Sequence, residues 1–342
     1  MKKFISIICI LALCLSLCAC GKTEITESKP EESIIESEPT ETETSKGTLA
    51  LCMGSVEHPT HRLTQYGFIK TAEELGYKAK ICGLSEGSMV ELLAEWETLL
   101  TDTDIQGVAV WDSSDAVYEL LRNFRENGIH TVVPYWKHDY TETHEFIECN
   151  PCEDQYAEGT AVAEFLLQKL KEKGINKGTI GMTRSRTASI MPDSYEKGFT
   201  RVFENTDYAM ANPAPAGAEL QEGIEIAEKY LNEYPDMIAA FSLVTGGNKA
   251  WTQAKANTNR TDVTVVGCEL GESIDDTDTE GFMIQPIYEA GVEAAKALAA
   301  LNEGKTYTEA EWNPSLPVNI VDKEGYAEYE ARYNEAQEYF AK

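Results

Sequence analysis

Three groupings in this sequence carry side chains able to do chemistry. His58 and His61 stand three apart in "EHPTHR", directly behind the apolar run "TLALCMGS". Two imidazoles at that spacing can hold a metal, move a proton or rim a pocket. A zinc site needs three or four ligands and a supporting shell, and His130, His138 and His144 are scattered. The pair therefore reads as a pocket rim, with no metal and no cofactor expected. Cys149-Asn-Pro-Cys152 is a C-x-x-C at a strand-to-helix junction, where redox dithiols occur. A thiol oxidoreductase is the enzyme alternative it raises. The flanking strand and helix lack the rest of a small thioredoxin-like domain, and the same junction suits a hinge, so the expectation is no enzyme. The third grouping is dispersed and needs the elements that position it.

From Gly47 the chain alternates between short apolar runs and amphipathic stretches. "TLALCMG", "YKAKICG", "IQGVAVWD", "IHTVVPYW" and "HEFIEC" read as strands. Between them "RLTQYGFIKTAEELG" puts Leu63, Tyr66, Ile69, Ala72 and Leu75 near one helical face, with Gly76 as its stop. "SMVELLAEWETLL" opens with Ser88 and Glu91 spaced as a capping box, and Ser114 is placed to cap "SDAVYELLRNFRENG". A second series follows: a long helix ending at Gly174, the strand "KGTIGMTRS", a helix, the short extended "AMANPAP", and alternating elements up to Pro286, which starts a helix where proline is tolerated. "LPVNIV" and a charged C-terminal helix close the chain. This doubled pattern predicts an α/β fold with two doubly wound, Rossmann-like lobes of parallel strands joined by hinge strands.

In such sheets ligands sit beyond the carboxyl ends of strands, near the reversal of strand order. The residues there run from Ser55 to His61, Trp111 to Asp115, Pro134 to Lys137, Asn150 to Cys152, Thr183 to Arg186 and Thr245 to Asn248, with Glu269 and Gln285. Carboxylate, amide, guanidinium and imidazole groups stand beside two tryptophans. Polar groups orient a polar ligand while an aromatic face covers its apolar side, and sugars and polyols present that combination. The binding candidates are His58, Thr60, His61, Asp112, Tyr135, Trp136, Asn150, Arg184, Arg186, Tyr195, Thr245, Glu269 and Gln285, with no catalytic residue. Trp136 is the expected stacking group.

The ends set the context. "MKKFISIICILALCLSLCAC" has two lysines, an apolar stretch and small residues, the pattern of an export signal. "LCAC" at Leu17 to Cys20 resembles a bacterial lipobox, which implies a signal peptide over 1–19 and a lipid on Cys20. Two acyl chains anchor stably, since each buried methylene adds about 0.8 kcal/mol. Residues 20–46 then form an acidic linker rich in Glu, Thr, Ser and Pro, too polar to offset its ordering entropy. The formal charge is −29, which disfavours nucleic acid as a partner. Cys52, Cys82 and Cys268 lie in apolar runs, where cysteine acts as a small hydrophobe.

The order and spacing of several motifs resemble the type I periplasmic binding proteins, ribose- and galactose-binding-like receptors of ABC importers. The likeness covers nearly all of 47–322. "EHPTHRLTQYGFIKTAEELGY" resembles the family's first loop and helix, "DVTVVGCE" a family strand, and "IQPIYEAGVEAAKAL" its crossover and helix. By that resemblance His58 stands where an Asn bonds ligand, and Thr60 and His61 where two Phe rings sandwich a sugar. Tyr135 or Trp136 lies near an Asp-Arg pair, Tyr195 replaces an Arg, Thr245 lies near an Asn or Asp, Glu269 replaces Asp, and Gln285 matches Gln. The resemblance implies one lobe from 47–149 and 286–316 and another from 150–285 and 317–342. It also implies hinge closure on a monosaccharide or related polyol, delivery to an ABC permease, and a monomer on the extracellular face of the membrane. A sensory receptor of the same fold, feeding a kinase or chemotaxis partner, is the alternative.

Overall fold

The apolar runs become strands because both of their faces are covered. In the computed structural model, β1 (Thr48–Met53) is buried at every residue, as expected of a parallel strand with helices on both sides. Residues 45–185, 190–216, 219–244 and 246–341 are described, and they lie within one compact unit, Thr44–Lys342. The signal peptide, Cys20, most of the linker, Arg186 and Thr245 fall outside the described residues.

After β1 come α1 (Pro59–Glu74), β2 (Lys78–Cys82), α2 (Met89–Glu97), β3 (Ile105–Trp111), α3 (Tyr118–Glu126), β4 (His130–Val132) and the short α4 (Tyr140–Thr143). The second series is α5 (Gln155–Glu172), β5 (Gly178–Ser185), α6 (Ile190–Phe203), β6 (Tyr208–Met210), β7 (Ala214–Ala216), α7 (Leu220–Glu233), β8 (Met237–Leu243), α8 (Gly247–Asn257), β9 (Thr264–Glu269) and β10 (Gly281–Ile284). The chain ends with α9 (Ile287–Asn302), β11 (Asn319–Val321) and α10 (Lys323–Phe340).

Two sheets result. The first has the order β2-β1-β3-β4, all parallel, and the second β11-β10-β9-β8-β5-β6, with β7 also on β5. Only the β10–β11 pair among these is antiparallel. Strand order reverses between β1 and β3 and again between β5 and β8, so each sheet has its ligand-binding position at those carboxyl ends. The chain passes from the first sheet to the second after Cys149, returns after β10 to lay α9 on β3 and β4, and passes again into β11. At the first and third passages the backbone pairs with itself: Asn150 N donates to Trp312 O (2.7 Å), Cys152 N to Pro314 O (3.1 Å) and Leu316 N to Cys152 O (2.9 Å).

Each sheet carries a helix pair in near-backbone contact. A Cβ on Gly291 of α9 would sit 2.0 Å from Thr64 O of α1, and one on Gly159 of α5 2.2 Å from Tyr195 O of α6. Gly198 meets Tyr156 O in the same way, at 2.1 Å. Only glycine permits these approaches, and the second brings the side chains of α5 and α6 into hydrogen-bonding range.

Three expectations are corrected. "HEFIEC" is not a strand: Asp139 caps α4, accepting from Glu142 N at 3.3 Å, and the turn that follows leaves a lone bridge from Cys149 to Val132. Ser114 does not cap α3, because its hydroxyl and N–H both donate to Asp112 Oδ1 (2.6 and 2.7 Å) and a 3-10 turn intervenes. α10 is not confined to the second sheet. Tyr326 packs on Phe282 of β10 at 4.9 Å, while farther along Gln337 Nε2 donates to Pro59 O (3.0 Å) and Tyr339 meets Tyr66 of α1 at 5.5 Å. The capping box of α2 forms as read, with Ser88 N donating to Glu91 Oε2 at 2.8 Å.

Candidate functional site

A row of aromatic rings runs across the strand ends of the first sheet. His58 is the N-cap of α1, its Nδ1 accepting from Thr60 N at 3.2 Å, with Pro59 opening the helix. His61 lies 5.3 Å from it, ring to ring, and 6.3 Å from Trp111 at the end of β3. Trp111 stacks on Tyr135 at 4.8 Å and 14°, and Tyr135 meets Trp136 edge-on at 4.9 Å. Tyr135 holds φ +74°, a left-handed backbone uncommon for a non-glycine residue. Its neighbours maintain it: Tyr135 N donates to Pro151 O (2.6 Å) and Glu153 N to Tyr135 O (3.2 Å).

His61 Nδ1 faces two carbonyls, Gly54 O at 2.7 Å and Ser55 O at 3.1 Å. That nitrogen must therefore carry the proton, which leaves Nε2 as an acceptor. Burial lowers the pKa, so the ring is neutral at pH 7. Among the described residues no third His, Cys, Asp or Glu joins the two histidines in a metal-holding group.

A cavity of about 600 Å³ opens beside the end of this row. Ser113, Trp136 and Lys137 line it from the first sheet, residues 152–156 from the first passage and the start of α5, Ser194 from α6, and Asn313 and Ser315 from the third passage. Trp136 is the one predicted binding residue in that lining, and the neighbours of Asp112 and Tyr195, Ser113 and Ser194, are there too.

Several predicted residues are otherwise engaged. Asn150 is fully buried and spends its whole amide on protein: Nδ2 donates to Val133 O (2.5 Å) and Trp136 O (2.8 Å), while Oδ1 accepts from His138 N (2.9 Å) and Asn313 Nδ2 (3.0 Å). An amide has two N–H groups and two lone pairs on oxygen, so nothing remains for a ligand. It is a staple under Trp136. Arg184 is held by Asp193 (2.8 Å) and Glu196 (2.5 Å), two acids on α6 that reach back to β5. Glu269 ends β9, buried, and accepts from Asn248 Nδ2 on α8; burial pushes its pKa up to about 7. Gln285 N donates to Glu269 O at 3.0 Å, and Thr60 is half-buried in the first turn of α1.

Tyr195 is 2% exposed and lies beneath the cavity. Its hydroxyl is 2.6 Å from Glu158 Oε2 and 3.1 Å from Glu153 Oε2. Glu153 also accepts from Gln155 Nε2 (2.7 Å), and the Tyr135 phenol lies close to it. Burial raises both carboxyls, Glu153 to about 6 and Glu158, with the Glu153 charge beside it, to about 9. At pH 7 the array is therefore a Glu158 acid, a phenol and a Glu153 carboxylate. Glu153 was not singled out from the sequence, although "CEDQ" follows the C-x-x-C directly and puts an acid at a strand end.

The two thiols do not form a redox pair. Cys149 faces Tyr307, and Cys152 accepts from Asn313 Nδ2 at 3.4 Å. Burial pushes Cys149 up to about 12 and raises Cys152, the opposite of an activated thiolate. The oxidoreductase alternative is withdrawn on that ground.

No protein-family model and no curated protein matches the chain. Solved structures do. A sugar ABC transporter protein from Actinomyces odontolyticus superposes with a TM-score of 0.71 at 15% identity, covering 83% of this chain and 97% of that one. AraP, an arabinose-binding protein from Geobacillus stearothermophilus, gives 0.68 at 15% identity over 83% and 99%. A sugar-binding protein of a Bacillus halodurans ABC transporter gives 0.67 at 14% over 82% and 99%. A XylFII–LytSN complex also matches, at 0.61 and 16% identity. The chain has the fold of the type I periplasmic binding proteins, the fold these sugar-binding proteins of ABC transporters share.

Proposed function

We propose that the protein captures a small polar ligand, a monosaccharide or related polyol, between two lobes that close on it, and hands it unaltered to an ABC importer. The observation that carries this reading is the position of the cavity. Its lining joins the segments after β3 and β4 of the first sheet, Trp136 among them, to the first and third passages and to α5 and α6, the helices that cover the second sheet. On this reading the lobes are 47–149 with 286–316 and 150–285 with 317–342, the far end of α10 reaching across to α1, and the three passages are the hinge. Trp136 lines this cavity, and on this reading closure would bring His58, His61, Asp112, Glu269 and Gln285 towards the same ligand. Closure removes water from charged hydrogen bonds, which strengthens them.

The test is a thermal-shift screen of sugars, polyols, nucleosides and amino acids, followed by calorimetry of whatever shifts the transition. A ligand at a hundred times its Kd adds about 2.7 kcal/mol of stability, so a monosaccharide hit is expected as a clear rise in Tm. A screen in which only nucleosides or amino acids act, or in which a compound is turned over, refutes the reading. A sensory role is the second reading, favoured by the neighbour solved as a XylFII–LytSN complex. Membrane attachment through Cys20 belongs to the same proposal. A Cys20→Ser chain should appear in the medium while the wild type stays with the membrane fraction, and equal retention of both would remove the anchor.

A further inference from the structure

Glu153 forms part of the cavity floor, and its surroundings decide what charge the ligand can carry. The residue is 1% exposed yet lines the cavity. A carboxylate offers about four acceptor sites, and Gln155 and Tyr195 fill two of them, with the Tyr135 phenol close by. The Tyr195 hydroxyl touches both Glu153 and Glu158 but has one proton to give. One of the two contacts must therefore use a proton held on a carboxyl. Glu158 is the group that holds it. Its Oε1 is buried without a partner, a position a neutral acid tolerates far better than an anion, whereas Glu153 has two donors to support its charge.

Among the described residues the rest of the lining does not offset that charge. Lys137 is the one cation among the described lining residues, and it is exposed at the rim, where water and salt screen it. Arg184 is consumed by Asp193 and Glu196. The positive end of α5 is already occupied, since Asp154 caps it, accepting from Ala157 N at 3.0 Å, and Glu158 sits in its first turn. The other groups facing Glu153 are Tyr135 after β4, Tyr195 on α6, Cys268 on β9 and Cys152, and burial keeps all four neutral at pH 7.

We propose that the cleft takes neutral or cationic, donor-rich ligands, a neutral monosaccharide or an amino sugar, and rejects sugar acids and sugar phosphates, with Glu153 as the acceptor that enforces the choice. The inference rests on the carbohydrate reading above. An anion on this floor would meet a carboxylate in a site too buried for water to screen the repulsion. A hydroxyl or ammonium would meet an acceptor site left open.

The experiment is calorimetry on the purified protein with matched sets: glucose, glucosamine, glucuronate and glucose 6-phosphate, and the same derivatives of galactose and xylose where they exist. The neutral or amino member of at least one set is expected to bind, with its acid at least a hundredfold weaker. Affinity for the neutral sugar should fall between pH 7.5 and 5, as Glu153 takes up a proton. Glu153→Gln should shrink the acid-to-neutral ratio to within about tenfold and flatten the pH profile, while Glu158→Gln, which keeps the charge at 153, should preserve the discrimination. An acid that binds as well as its neutral parent overturns the inference and leaves the carbohydrate reading standing. So does a Glu153→Gln protein that still rejects the acid. If no carbohydrate binds, the carbohydrate reading falls and this inference with it. The wild-type arms decide the ligand class even if a variant fails to fold.

Discussion

Trp136 and Glu158 show how differently single residues in one neighbourhood behave. Trp136 is half-buried on the cavity wall and held from below by Asn150, so its ring can be removed without opening the core. Trp136→Ala should weaken binding by about 3- to 10-fold, from the 0.5–1.5 kcal/mol of an aromatic contact, with little change in Tm; calorimetry and a melting curve check both. Glu158 acts on stability instead. Its folded pKa lies above the ordinary carboxyl value of 4.5, so the native state keeps a proton that the unfolded state releases. Stability from this group is therefore greatest below pH 4.5 and declines as pH rises towards 9. Glu158→Gln should flatten the fall in Tm between pH 5 and 9, and an unchanged slope would show that the carboxyl titrates normally. The sequence placed Arg184 at the end of a strand, where β5 holds it, put Tyr195 in a helix, and set Asn150 behind a strand that is in fact a turn. It could not show their partners, because Asp193 and Glu196 reach Arg184 only once α6 has packed against β5, and Asn150 meets Asn313 only across the third passage.

At the scale of elements, the alternation of apolar runs with amphipathic stretches was legible because parallel strands must be apolar on both faces and their crossover helices on one. The misread segment, 144–149, illustrates the limit. Phe146 and Ile147 are apolar because they pack under β3 and β4 from a turn, and burial alone does not distinguish a turn from a strand. Helix contact was also hidden. Gly159 and Gly198 read as ordinary helical residues, yet each lies against a backbone carbonyl of the partner helix. Gly159→Ala must push α5 from α6 and should cost about 3 kcal/mol, the upper part of the usual overpacking range, measured by urea unfolding. Because the same contact sets the Tyr195–Glu158 distance, that variant should also alter the pH dependence of stability. Ser88→Ala, which breaks only the capping box of α2, should cost about 1 kcal/mol and leave that pH dependence as it was.

For the whole molecule, three passages between sheets make bending at the joint the natural large motion. A saturating ligand should reduce the radius of gyration in solution scattering, and an unchanged curve with a tightly bound ligand would mean that the lobes do not move. α10 adds a condition on that motion. It leaves β11, packs Tyr326 against β10, and ends with Gln337 and Tyr339 on α1. If the two sheets turn about the passages, the far end of this rod must change its contact with the start of α1, beside His58. A fluorophore attached at position 337 would then work as a built-in goniometer, its emission changing as the angle changes.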